Sequence, residues 1–104
     1  MSLMNSKIQG KDMDLFFEAI LKLESIEECY NFFDDVATIT EVKALAQRIH
    51  VAKLLKSKRT YTEIAEITGA STATISRVNR CLNYGSGGYN MVLDRIDDEK
   101  VVNK

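Results

Sequence analysis

Proline is missing from all 104 residues, and glycine occurs five times. A helix in such a chain ends only where a glycine or a cap stops it. Cysteine occurs twice, as Cys29 and Cys81, and histidine once, as His50. These three have no metal-ligand spacing, so no metal site is expected. No apolar run is long enough to cross a bilayer, and the N-terminus lacks the apolar core and small-residue cleavage site of a signal peptide. These absences set the expectation of a reduced, metal-free, cytoplasmic protein with no membrane partner.

What is present is ordinary in bulk and uneven in arrangement. The chain is 45% hydrophobic and 28% charged, and its length suits a single domain over 1–104. The formal net charge of −1 conceals a segregation. Residues 1–42 carry three Lys/Arg against nine Asp/Glu, and residues 43–82 carry eight against two. A basic middle in an acidic chain points to a local anion-binding face.

Apolar spacing and caps divide the chain into helices, and no strand pattern competes. The run "DMDLFFEAILKL" (12–23) places Leu15, Phe16, Ala19, Ile20 and Leu23 at helical spacing. Three Ser/Thr-x-x-Glu capping boxes follow: "SIEE" (25–28), "TITE" (38–41) and "TYTE" (60–63). The second box starts a long helix to about Ser57, with Val42, Leu45, Ala46, Ile49, Ala52 and Leu55 along one side. The third starts a short helix over Tyr61–Thr68. A further helix spans Thr72 to Leu82, and after the loop "NYGSGG" (83–88) a last one spans Tyr89 to Ile96. The ends, 1–10 and 97–104, are expected to fray. "GSGG" is a connector, since no Gly-Lys-Ser/Thr follows it.

The stretch "YTEIAEITGASTATISRVNR" (61–80) has the shape of a helix-turn-helix, whose second helix enters the DNA major groove. Ala65 allows close helix approach, Gly69 permits a left-handed turn, and Ser71 caps the second helix. On a wheel, Ile75, Val78 and Leu82 fall together, with Thr74 and Cys81 beside them. Thr72, Ala73, Ser76, Arg77 and Arg80 fall opposite. That outward face is small, hydroxylated and basic, suited to base edges, thymine methyls and phosphates. "KLLKSKR" (53–59), with Lys56, Lys58 and Arg59, and the start of the 61–68 helix can grip the DNA backbone.

The segments "ALAQRIHVAKLL" (44–55) and "TYTEIAEITGASTATISRVNRCL" (60–82), with the spacing between them, resemble the Trp repressor family, most closely its YerC/YecD-type members. The resemblance runs from Thr38 to about Ile96. It implies an all-α, six-helix fold with the helix-turn-helix at about 61–82, forming an intertwined homodimer. In that family the N-terminal helices of two chains interleave, and two reading heads address successive major grooves about 34 Å apart. An interleaved core suits the aromatic load of Leu15, Phe16, Phe17, Tyr30, Phe32 and Phe33. The resemblance also assigns backbone and base contacts to Tyr61, Thr62, Thr72, Ala73 and Ser76, while Ala65 replaces a contacting lysine.

Tryptophan in the repressor sits between two arginines that match Arg48 and Arg77 here, and the threonine capping the long helix matches Thr38. These three are therefore the candidate ligand residues. The glycine after the second arginine is Val78 in this chain, and a serine near the ligand amino group is Cys81. A branched side chain in a flat slot clashes, which argues against tryptophan as corepressor and leaves no cofactor expected and the effector unnamed.

The sequence thus predicts a sequence-specific, homodimeric DNA-binding regulator, a repressor because no activation surface is visible, bound to double-stranded DNA in the nucleoid. The alternative is a helical dimeric protein-interaction module that keeps the helix-turn-helix for packing. An enzyme is not expected: no nucleophile, base and orienter assemble. His50 reads as a polar-face residue, and Cys29 and Cys81 as small core residues.

Overall fold

A computed structural model describes residues 6–102 of the chain, and their side chains as far as residue 99. Six α-helices follow in order: α1 (Lys11–Leu21), α2 (Ile26–Val36), α3 (Ile39–Lys56), α4 (Tyr61–Thr68), α5 (Thr72–Tyr84) and α6 (Gly88–Val102). No strand occurs among the described residues. The helices start where the sequence places them to within one residue. Two end later: α5 runs past Leu82 to Tyr84, and α6 runs past Ile96 to Val102. The stretch expected to fray from 97 is helical through Val102, because no glycine or proline follows Gly88 to stop it. Residues 1–5 and 103–104 of the expected frayed ends lie outside the described residues.

The chain falls into two compact units divided after Ile39. In the first, α2 opens on Ser25, whose hydroxyl accepts from the Glu28 amide at 3.1 Å. The aromatic rings of α1 and α2 pack on one another. Phe16 stacks on Phe32 at 6.2 Å and meets Phe33 edge-on at 6.4 Å, and Phe32 and Phe33 are perpendicular at 5.2 Å. Yet no residue of either helix is fully buried. Leu15, Leu21, Ile26 and Tyr30 are between 66% and 82% exposed.

The second unit holds the core. Val51, Ala52, Ile64, Ala70, Ile75, Val78 and Leu93 are buried together, with Leu54, Leu55, Ala65, Leu82 and Tyr89 packed around them. Only the C-terminal half of α3 enters this core. Leu45 and Ile49, on the side that the apolar spacing picks out, are exposed.

The corner between α3 and α4 explains how the chain turns without glycine. The Arg59 amide donates to the Leu54 carbonyl at 3.2 Å and the Lys58 amide to Leu55 at 3.1 Å. This is a Schellman closure with Lys58 at the left-handed position, φ 64°. A side chain there costs about 1–2 kcal/mol relative to glycine. Immediately after it, Thr60 and Glu63 form a reciprocal capping box: the Glu63 amide donates to Thr60 Oγ1 at 3.2 Å and the Thr60 amide to Glu63 Oε1 at 3.0 Å. Hydrogen bonds from the Thr60 backbone and hydroxyl, then the Arg59 guanidinium at 3.2 Å, hold the Glu63 carboxyl below its ordinary pKa.

Three outcomes follow from this corner. Lys58→Gly should raise the unfolding free energy by about 1 kcal/mol, read by chemical denaturation, whereas Thr60→Ala should lower it by about 1 kcal/mol. Because the Glu63 pKa is depressed on folding, its contribution is present above the unfolded value and lost as pH falls through the folded one. Glu63→Gln should therefore flatten the loss of stability below about pH 4, measured as the unfolding midpoint against pH.

Candidate nucleic-acid interface

The turn between α4 and α5 is braced from two sides. Thr68 Oγ1 donates to the Ile64 carbonyl at 2.7 Å and accepts from the Ala70 amide at 3.1 Å. Gln47 of α3 donates through Nε2 to the Thr68 carbonyl at 3.2 Å. Gly69 supplies the left-handed residue at φ 73°, and its amide donates to the Ala65 carbonyl at 2.9 Å. Ser71 then caps α5, accepting from the Thr74 amide at 3.1 Å. Ala70 at 5% exposure, Ile75 at 0% and Val78 at 2% seat the turn and α5 on the core.

The buried side of α5 fixes which side faces out. Thr72, Ala73, Ser76, Arg77 and Arg80 are all exposed. Ser71 at the cap of α5, and Tyr61 and Thr62 in the first turn of α4, are exposed as well. The sequence wheel thus describes this helix correctly at its outward positions.

The cations differ in their commitments. Lys56 is half-buried, and its Nζ lies 2.7 Å from Asp94 Oδ1 of α6. Arg59 pairs with Glu63. Lys58, Arg77 and Arg80 are exposed and hold no ion pair among the described residues. Of the expected phosphate contacts, Lys56 and Arg59 must exchange a carboxylate for a phosphate, and the other three need not.

Of the candidate ligand residues, Arg48 and Arg77 line one cleft of about 110 Å³ in the second unit, with Thr74, Val78, Cys81 and Tyr89. Thr38 belongs to the first unit and directly precedes α3. Burial, followed by the Cys81 thiol, pushes the Tyr89 hydroxyl pKa up, while Arg48 and Arg77 pull it down. The cysteines are not core residues: both are exposed. The buried stripe of α5 passes through Ile75 and Val78 and leaves Cys81 at its edge, facing the cleft. Cys29 lies on α2, which buries no residue fully. No group of three His, Cys, Asp or Glu side chains suited to a metal occurs among the described residues.

Four positioning residues escaped the sequence reading. Gln47 braces the turn, Asn90 Nδ2 donates to the Leu82 carbonyl at 3.0 Å, Asp94 holds Lys56, and Tyr89 lines the cleft. Each acts across a gap between helices, which no local spacing reveals.

The sequence profile of the Trp repressor protein family matches residues 11–97. The chain is 55% identical over 92 residues to the uncharacterised protein YerC of Bacillus subtilis, covering 88% of each chain. Its fold superposes with a TM-score of 0.85 on a TrpR-like protein from Eubacterium eligens, at 54% identity and covering 89% of this chain and 96% of that one. It superposes equally well, with a TM-score of 0.85, on a proposed Trp repressor from Staphylococcus aureus, at 50% identity and covering 92% and 96%. No helix among the described residues is long and apolar enough to cross a membrane. With six helices, a braced helix-turn-helix and matches over most of its length, the chain belongs to the Trp repressor family, as a YerC-type member.

Proposed function

We propose that the chain is a sequence-specific DNA-binding regulator, a repressor that acts as a homodimer on double-stranded DNA in the cytoplasmic nucleoid. The observation that carries this reading is the outward face of α5. Thr72, Ala73, Ser76, Arg77 and Arg80 are exposed together on a helix whose other side is anchored by Ile75 and Val78. Small side chains let the backbone sit deep in a major groove. Hydroxyls and methyls then meet base edges, and the arginines meet phosphate or guanine. Ser71, Tyr61, Thr62, Lys58 and Arg59 lie on the flanking elements, with Lys56 behind them, and are assigned to the phosphate backbone. A protein-interaction module needs no such hydroxylated and basic face.

Homodimerisation is supported by apolar surface that the chain does not bury itself. Leu15, Leu21, Ile26 and Tyr30 of the first unit are widely exposed, as are Leu45, Ile49, Met91, Val92 and Ile96 of the second. Burying apolar area contributes about 25 cal/mol per Å², and aromatic and aliphatic patches of this extent mark an interface. A second copy of the chain accounts for them, and its two reading heads suit a roughly palindromic operator.

Binding to upstream genomic duplexes, followed by fluorescence anisotropy, should weaken linearly in log K against log salt. Arg80→Gln should shrink that slope by about 0.9 for each phosphate contact removed. Arg77→Glu with Arg80→Glu should abolish binding; unchanged binding in that double variant would favour the interaction-module reading. In sedimentation equilibrium the species should have twice the 11.7 kDa chain mass, and Leu15→Asp should shift it towards the monomer.

A further inference from the structure

We propose that α5 selects its duplex by thymine: the methyl groups of Thr72 and Ala73, exposed at the start of the helix, pack against the thymine 5-methyl in the major groove. The inference rests on the DNA-binding reading and deepens it, by naming the base and the two residues that recognise it.

Position comes first. A recognition helix meets base edges with its N-terminal residues. Thr72 and Ala73 are the first two residues of α5, and both are exposed. Neither is needed for the cap, which belongs to Ser71. The Ser71 hydroxyl accepts from the Thr74 amide and donates to Thr74 Oγ1, each at 3.1 Å. Ala70 and Ile75, on either side, are buried and hold this end of the helix on the core. Ala73 has no rotamer to lose, and Thr72 is stiff at χ1, so both present their methyls at little entropic cost.

Elimination comes second. Adenine is matched by the paired groups of Asn or Gln, cytosine by a carboxylate, and guanine by Arg or Lys. α5 carries no carboxylate. Its two side-chain amides, Asn79 and Asn83, lie further along the helix and engage each other. Asn83 Nδ2 donates to the Asn79 carbonyl at 2.9 Å and approaches Asn79 Oδ1 at 3.5 Å. The Ser76 hydroxyl both donates and accepts, so it suits any base edge and discriminates little. Guanine falls to Arg77 and Arg80, which are exposed. What remains at the first turn is apolar contact with a methyl group, and thymine alone among the four bases presents one in the major groove.

The test starts from duplexes that the full chain enriches from a random-sequence library. Each thymine of the half-site is replaced in turn by deoxyuridine, which keeps the base pairing and loses only the methyl, and affinity is followed by fluorescence anisotropy. At least one thymine per half-site should be sensitive, its replacement weakening binding about fourfold, as for one buried methyl-sized group. At that position cytosine should bind less well than thymine, and 5-methylcytosine should recover part of the loss. Thr72→Ser removes a methyl and keeps the hydroxyl. It should weaken binding to the thymine duplex about fourfold and no longer distinguish thymine from deoxyuridine at the position Thr72 contacts. Ala73→Gly should do the same at its own position. Arg80→Gln should weaken both duplexes and leave their ratio unchanged. Circular dichroism confirms that each variant is folded, and Thr72→Ser carries the test if Ala73→Gly is not. Tight binding to enriched duplexes with no sensitive thymine overturns the proposal and leaves the DNA-binding reading standing. So does discrimination that survives in both Thr72→Ser and Ala73→Gly, which assigns the effect to duplex shape. Failure to enrich any duplex overturns both readings.

Discussion

Everything on the outward face of α5 depends on how two apolar residues of that helix are buried. Ile75 and Val78 pack against Ile64 of α4, Val51 and Ala52 of α3, and Leu93 of α6. Complete burial of a side chain of this size contributes about 1.5–3 kcal/mol, and removing one from a close-packed site costs more because the cavity does not collapse. The helix can therefore spend every other outward position on small, polar or basic residues that contribute little to stability. Five hydroxyl residues within Thr68–Arg77 would make a poor independent helix. Anchored at Ile75 and Val78, and capped by Ser71, they make a stable and chemically varied surface.

The same burial ties recognition to position. Thr68 closes the turn with its own side chain, and Gln47 reaches it from α3. Asn90 joins the end of α5 to α6. Each neutral hydrogen bond contributes about 1 kcal/mol, less than the core does, but each has a direction. They fix the rotation of α5 about its axis, on which the choice of outward residues depends. At the α3–α4 corner, Lys58 occupies a left-handed position that glycine would fill with less strain. Its cost is consistent with a cation wanted at that corner, beside the N-terminus of α4.

What could be read from the sequence follows from how local the physics is. Capping boxes, the glycine at 69 and the Ile75–Val78 spacing involve neighbours within a few residues, and they place the helices and the outward face of α5. α6 continues beyond Ile96, where chain ends usually fray, because no residue there breaks a helix. Cys81 and the Leu45–Ile49 stripe are exposed although each shares a face with apolar residues, because spacing shows which residues share a face but not whether that face has a partner within the chain. The cross-helix contacts of Gln47, Asp94 and Tyr89 depend on how elements far apart in sequence meet. The family resemblance pointed to Arg48 and Arg77, and the cleft between them was visible only in three dimensions.

The central claim is that two copies of α5 read duplex DNA from adjacent major grooves. Hydroxyl-radical footprinting of the protein on the duplexes it retains from its own genome tests this most directly. The account predicts two protected patches centred about one helical turn apart, with dyad symmetry, both lost when Arg77 and Arg80 are reversed in charge. Uniform cleavage along every duplex at low salt, or protection that survives those charge reversals, would contradict it.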